Sequence, residues 1–497
     1  MLKPATRMLK PAPTKLGCSV LEAASSEASQ IYFSLRNDIP DQLDLARSHF
    51  YLTRQLEAAS KFHSDIPQDL EVLSFWIEDQ ARQVGLQYAQ YLKGRQAGDA
   101  RHYFTSKSHA LYFLKSVAPT KLVDGAWLYG FLGHWRDPCF SALIRTYLEE
   151  LGDGRPDKNH VVIFKKLLAA HGCNPWERLR DAHYVQGAIQ LSLAHHAPHF
   201  LPEAIGFNLG YEQLPLHLLI SAYELNELGI DPYYFTLHIT VDNAASGHAK
   251  KALQGLVETL PRLLDRKAFL QRVINGYKLN LLGISTNATI DEFDLREELL
   301  AIFAAKGAIG AQMHSDYCRI AGKSVNQWLS DPTQLPAFLE SLERGGWIKR
   351  HQDPEGSRFW RLLEGEHAEM FGVFDAYERQ VIYDWIAGDS APAEPREPTH
   401  RVKRRKLGLH QLTQISGPRQ HGDELNREVR NHPSRSGEDA SEDDFDADLR
   451  LLEERLGVPL NNDDTMRQLT RLMSPTHHHT ALGLMATRIF AALFDVA

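Results

Sequence analysis

Apolar residues recur at three- and four-residue intervals along most of residues 40–385, and this spacing is the strongest constraint on the fold. Leu70-Glu-Val-Leu-Ser-Phe-Trp-Ile, Gln87-Tyr-Ala-Gln-Tyr-Leu, Ile144-Arg-Thr-Tyr-Leu-Glu-Glu-Leu and Leu253-Gln-Gly-Leu-Val-Glu-Thr-Leu all show it. Residues so spaced share one face of a helix and must bury it against another helix. The stops mix Gly with a following Pro, as in Gly152-Asp-Gly-Arg-Pro, Gly172-Cys-Asn-Pro and Gly229-Ile-Asp-Pro. Alternating strand patterns are sparse. The fold class predicted is all-α.

At 497 residues the chain has room for several helical units. Residues 1–40 read as a flexible N-terminal tail, 41–285 as the main helical domain and 286–387 as an accessory helical region opening near Thr289. Residues 388–445 carry like-charge blocks and few apolar side chains, the mark of a disordered linker. The run Arg401-Val-Lys-Arg-Arg-Lys406 in it reads as a solvated patch. Residues 446–497 form a last helical segment, apolar enough at Ala481–Phe494 to dock on the body.

A net charge of −8 gives no general attraction to nucleic acid. No apolar run is long enough for a membrane span. Four scattered cysteines (Cys18, Cys139, Cys173, Cys318) form no CxxC pair, which excludes a thiolate zinc site and fits a reducing cytoplasm. Phosphate-binding glycine loops are absent, and Glu364-Gly-Glu-His-Ala-Glu is not a zinc-protease motif.

Chemistry concentrates in three stretches. Tyr233-Tyr-Phe-Thr-Leu-His-Ile-Thr-Val-Asp-Asn-Ala-Ala-Ser-Gly-His248 puts His238 and Asp242 four residues apart, on one face if the segment is a single helix, with His248 beyond. Tyr147-Leu-Glu-Glu-Leu-Gly-Asp-Gly-Arg-Pro-Asp-Lys-Asn-His160 closes one helix at Glu150 and opens the next at His160. The third, from Glu203 to His217, offers several ligands. If 203–228 and 233–255 are antiparallel helices, the level of residue 242 lies about 15 Å from the turn, close to Glu212 and His217 and roughly 22 Å from Glu203. Glu212 is therefore preferred, with His217 and Glu203 as replacements. Gly206 and Gly210 permit close helix approach, and Pro215 predicts a kink. Carboxylates and imidazoles from neighbouring helices suit Fe(II), with Mn as a second choice. Phe207, Leu209, Leu214, Leu218, Phe235, Leu237, Ile239 and Val241 would line the pocket beside them.

Other groups have structural readings. Asp124 reads as a helix cap or a partner for a packed Trp127, with an added-ligand role as the alternative. His109 reads as structural, and His195, His196 and His199 as surface residues. His477-His-His479 is too short for a metal tract.

Leu148-Glu-Glu-Leu-Gly, Glu-x9-His, a mid-chain Glu and Phe-x2-His-x3-Asp together resemble the haem-oxygenase-like non-haem iron oxidases and oxygenases over about 100–265. The resemblance implies a haem-oxygenase-like helical bundle and one or two Fe(II) ions held by Glu150, His160, Glu212, His238, Asp242 and His248. It implies dioxygen and a small organic metabolite as co-substrates, with an electron donor and a homodimer admitted. One departure stands out: the family's last His would fall at Ala245, and His248 lies six residues past Asp242. On a regular helix that leaves it about 120° from Asp242's direction, unless a distortion near Gly247 brings it back. The competing expectation is a helical scaffold or binding protein with a degenerate metal site. A haem protein is disfavoured by the wealth of carboxylates.

Overall fold

A computed structural model of the chain describes residues 26–37, 39–174, 176–242, 247–261, 265–315, 317–364, 368–388 and 462–496. Helix dominates the described residues; a two-residue antiparallel pair, Arg319–Ile320 with Lys323–Ser324, is the one sheet among them. The linker expected at 388–445 lies outside the described residues beyond Gly388.

The chain begins with α1 (Glu27–Leu35), α2 (Gln42–Ser60), the long α3 (Leu70–Ala97), α4 (Lys107–Ser116) and α5 (Ala118–Lys121). After a 3-10 stretch, Ala126–His134, come α6 (Ser141–Glu150), α7 (His160–Ala170), α8 (Val185–His196) and α9 (Leu201–Tyr211). Then follow α10 (Leu216–Glu227), α11 (Tyr233–Val241), α12 (His248–Thr259) and α13 (Arg266–Lys278). Side chains cap the starts: Asp69 accepts from Glu71 and Val72, Ser106 from His109, and Asn159 from Val162, each satisfying amides that a first turn leaves bare.

The tightest packing is α9 against α13. Two glycines make it possible. A Cβ on Gly206 would sit 1.8 Å from the Val273 carbonyl oxygen, and one on Gly276 would sit 2.0 Å from that of Glu203. The α8 helix packs on Ala126–His134, α12 on α6, and α11 on α7 and α10. Trp127, Tyr147, Phe164, Phe207 and Tyr234 fill the middle at under 2 % exposure. Each such side chain contributes roughly 1.5–3 kcal/mol of burial energy. Trp127 Nε1 donates to Asn208 Oδ1 at 2.9 Å, so its indole is not left unpaired.

Several expectations change. Part of the expected tail is core: α1 buries Ala28, Ile31, Tyr32 and Leu35 and packs on α8. The kink expected at Pro215 is a full break, since α9 stops at Tyr211 and α10 starts after Pro215. The expected helix 233–255 is two helices, α11 and α12. The accessory helix starts at Asp294, which caps α15 (Leu295–Gly310), after the short α14 (Thr286–Asp291). Beyond these lie α16 (Val325–Leu329), α17 (Leu335–Arg344), α18 (Arg358–Leu363) and α19 (Ala376–Ala387), the last packed on α4 and α15. The chain closes with α20 (Asn462–Leu472) and α21 (Ala481–Phe494), and α21 packs on the turn after Glu150. No helix among the described residues is long and apolar enough to cross a membrane.

Candidate metal centre

Glu150 is the last residue of α6 and His160 the first of α7. Asn159 stitches the turn between them. Its Oδ1 accepts from the Val162 amide at 3.0 Å, and its Nδ2 donates to the Leu151 carbonyl at 3.2 Å. Both functional side chains are thereby held inward, at 3 % and 1 % exposure. Asp124 approaches from the segment before Trp127. The following Gly125 has φ +78, and a Cβ there would lie 2.9 Å from the Glu150 Cβ, so only glycine lets the segment come this close.

Two nests of buried donors result. Asp124, Glu150, His160 and His238 form one; Glu150, Glu212, Asp242 and His248 form the other. Within each nest the donor atoms lie within 4.8 Å of one another. Glu150 faces both: its Oε2 is 2.5 Å from His160 Nδ1, and its Oε1 is 3.2 Å from His248 Nδ1. In the second nest His248 Nδ1 also lies 3.2 Å from Glu212 Oε2 and 3.2 Å from Asp242 Oδ1.

A surrounding shell fixes the orientations. His238 Nδ1 donates to the Tyr234 carbonyl at 2.8 Å, which turns Nε2 toward Asp124 Oδ2, 3.0 Å away. His248 Nε2 donates to Glu149 Oε2 at 2.9 Å, and Glu149 is paired with Lys251. An imidazole tied on its far nitrogen to a carboxylate or carbonyl presents the near nitrogen as a ligand. The hydroxyls of Tyr211 and Tyr234 donate to Asp124 at 2.8 and 2.5 Å.

Four carboxylates buried this closely repel one another and are costly to desolvate. Protons relieve this in the metal-free protein. Burial opposes charging of His238, but the Asp124 bond and charge outweigh it and hold its pKa up at about 9. His248 is likewise pushed well above the ordinary imidazole range, burial being overcome by Glu212 and by bonds to Asp242, Glu149 and Glu150. Burial drives Glu212 up to about 8 despite the opposing pull of His248. Burial would raise Asp124 too, but Lys121 and His238 prevail and hold it at about 2.

The donor set fits iron. Hard oxygens and imidazole nitrogens are the ligands that divalent iron takes, and two such ions would balance four carboxylates. Glu150 Oε2, His160 Nδ1, Glu212 Oε1 and Asp242 Oδ1 are buried without a hydrogen-bond partner, though they face one another across the nests. Buried polar atoms rarely stay unpaired; one cation in each nest would satisfy all four.

The structure brings together all six residues expected from the sequence, in two nests rather than one. His238 and Asp242 do not share a nest. Asp242 caps the end of α11, so the four-residue helical spacing does not aim both at one point. His248 reaches the second nest because α11 ends and a new helix starts at His248; no continuous helix carries it away. Asp124 is corrected from cap or Trp127 partner to a member of the first nest, since Asn208 serves Trp127. Glu203 is tied to Arg272 at 2.6 Å and is no substitute for Glu212; His217 joins neither nest. His196 is buried and bonded to Ser48 Oγ at 2.8 Å, not a surface residue. Glu149 was missed as a site residue, although it stands beside Glu150 in the Leu148-Glu-Glu-Leu run.

A cavity of about 470 Å³ opens onto His238 and Asp242. Of the apolar residues expected to line it, only Leu218 does so; Thr120, Lys121, Tyr211, His217 and Asn280 supply a more polar wall. Phe207 instead packs on Trp127 and Tyr211.

Residues 111–280 match a family model described as iron-containing redox enzyme. The match spans both nests, from Asp124 to His248. Searches of curated proteins and of solved structures returned no match.

Proposed function

We propose that this chain, a member of the haem-oxygenase-like iron-containing redox enzymes through residues 111–280, uses two iron ions and dioxygen to oxidise or oxygenate a small organic metabolite. The observation that carries this reading is Glu150, one carboxylate turned toward two adjacent nests of oxygen and nitrogen donors. Asp124, His160 and His238 would hold one ion, and Glu212, Asp242 and His248 the other, with Glu150 shared. Bound Fe(II) supplies electrons to dioxygen and so gives access to oxidations that no side chain can perform.

The chain's own residues do the rest. Tyr234 and Glu149 fix the ring orientations of His238 and His248. Tyr211 and Tyr234 hold protons at their hydroxyls against Asp124; burial, then the Asp124 charge, keeps both phenols well above their ordinary range and so undissociated. Buried Phe164, Leu148 and Ile239 exclude water around the centre. The cavity at His238 and Asp242 admits the organic substrate from one side. An external electron donor completes the reaction, and no nucleic-acid partner is required.

Of the two features that favour a degenerate scaffold, the displaced His248 and the long extension outside residues 111–280, the first is answered by the break before α12. The test is metal analysis of protein loaded anaerobically with Fe(II), followed by oxygen uptake on exposure to air. The expected result is about two irons per chain for the native protein and a sharp fall in oxygen consumption for Asp242→Ala. Native protein that binds no iron under these conditions would falsify the reading.

A further inference from the structure

The outer face of α3 carries side chains spaced the same way from either end. Leu73, Ile77, Tyr88 and Leu92 are buried on its inner side, where the helix packs on α10 and α12. Two polar contacts fasten that side: the Tyr91 hydroxyl donates to Glu224 at 2.9 Å, and Arg95 pairs with Glu227 at 2.7 Å. The opposite side carries Val72, Phe75, Asp79, Arg82 and Leu86. At about 100° per residue these five fall within an arc of about 80°. Val72, Phe75 and Leu86 are 52 %, 72 % and 57 % exposed, so no described element covers them. Asp79 and Arg82 pair with each other on the surface between Phe75 and Leu86. A single exposed apolar side chain needs no explanation, whereas a stripe along one helix face marks a contact surface.

The spacing says what fits that surface. Phe75-x3-Asp79-x2-Arg82-x3-Leu86 is symmetric about the point between Gln80 and Ala81. Two copies of α3 laid antiparallel about a two-fold axis through that point place Phe75 opposite the partner's Leu86, Asp79 opposite the partner's Arg82 and Val72 opposite the partner's Ala89. A two-fold interface has to be self-complementary, since each contact is made twice with the roles exchanged. Here apolar meets apolar and acid meets base at every exchanged pair. The seam from Val72 to Ala89 is about 26 Å long at 1.5 Å per residue. The charge of the face argues against a lipid surface. Between residues 71 and 90, α3 carries Glu71, Glu78 and Asp79 against Arg82 alone, and an anionic membrane surface draws lysine and arginine.

We propose that two copies of this chain associate through the outer faces of α3, antiparallel, with Phe75 seated on the partner's Leu86 and Asp79 paired with the partner's Arg82. The surface lies outside residues 111–280 and is therefore an addition to the matched segment. The pairing stands whether or not the nests hold iron.

The test is sedimentation equilibrium of the full chain over a micromolar concentration series, with circular dichroism and iron content measured in parallel. The native chain is expected at twice its monomer mass. Phe75→Glu and Leu86→Glu should each weaken the dimer by roughly a hundredfold or more, the effect of a central apolar side chain. The altered side chains are exposed, so helix content and iron content should not change. Asp79→Arg and Arg82→Asp should each run as monomers, because like charges then face each other at both exchanged pairs. Mixed together, these two variants should form a one-to-one dimer. An ion pair that only steadies a helix within one chain gives no such rescue. A native chain that stays monomeric throughout the series overturns the proposal, as does a dimer that survives both Phe75→Glu and Leu86→Glu. Single charge variants that remain dimeric, or that remain monomeric on mixing, overturn the antiparallel register. Phosphatidylglycerol vesicles that bind the native chain but not Phe75→Glu, with no dimer in solution, overturn the second copy as occupant in favour of a lipid surface.

Discussion

Glu150 is the residue whose removal separates a shared centre from two independent ones. Because it faces both nests, Glu150→Ala should lower iron content toward zero, whereas His238→Ala should leave about half. Elemental analysis of anaerobically loaded protein distinguishes the two, and equal losses in both variants would count against a shared carboxylate. The same side chains set opposite pH trends. His238 has its pKa raised to about 9 in the metal-free fold. The stability it contributes is fully present below about pH 6.5, the ordinary imidazole value, and is lost as pH rises through about 9. Glu212, raised to about 8, acts in the same direction. Metal must displace these protons, so iron affinity should rise over that window, by on the order of tenfold per pH unit for each proton released. Thermal unfolding of metal-free protein and competition with a chelator, both between pH 6.5 and 9, are expected to move oppositely. Trends of the same sign would show that these protons do not compete with the metal.

At the scale of elements, the sequence made the helices and the ligand types legible but not the breaks between helices. Counting residues along 233–255 assumes one continuous helix, and on that assumption His248 points away. The chain instead ends α11 at Val241 and restarts at His248. No local spacing marks that helix end; α11 packs on α7 and α12 on α6. Asp124 was legible only as an alternative ligand, for a related reason. Its neighbours Val123 and Gly125 give no ligand signature, and only the fold shows Gly125 pressed on Glu150. The Glu150–His160 turn was readable, because Asn159, Gly152 and Gly154 are local signals for a stop and a restart. The Gly125 contact gives a prediction. Gly125→Ala places a methyl 2.9 Å from the Glu150 Cβ at φ +78, a combined clash and strain of about 2–4 kcal/mol. Denaturant unfolding should show that loss, and the folded fraction should bind iron more weakly. An unchanged midpoint would mean that the segment carrying Asp124 is free to shift.

At the scale of the whole molecule, the candidate metal centre is braced by residues far outside the matched segment. The α21 helix packs on the turn between Glu150 and His160, and a Cβ on Gly154 would meet the Leu484 carbonyl at 2.3 Å. Tyr147, one turn before Glu150, donates its hydroxyl to the Met473 carbonyl at 2.6 Å, and Arg488 donates to the Gly154 carbonyl at 3.1 Å. His478 sits at 1 % exposure and accepts from Asn159 Nδ2 at 3.1 Å. Within the short histidine run, His478 is therefore a buried brace on the residue that caps α7. Two variants separate brace from ligand. His478→Leu keeps the volume filled and leaves Asn159 its bond to Leu151, so it should cost about 1–3 kcal/mol of stability with the iron count unchanged. Removing residues 462–497 strips the cover from Tyr147 and from the turn itself, so iron affinity should fall even where the remaining helices stay folded by circular dichroism. Full iron binding in that truncated chain would show that the Glu150–His160 turn holds its shape alone, and the extension would then need a purpose apart from the metal centre.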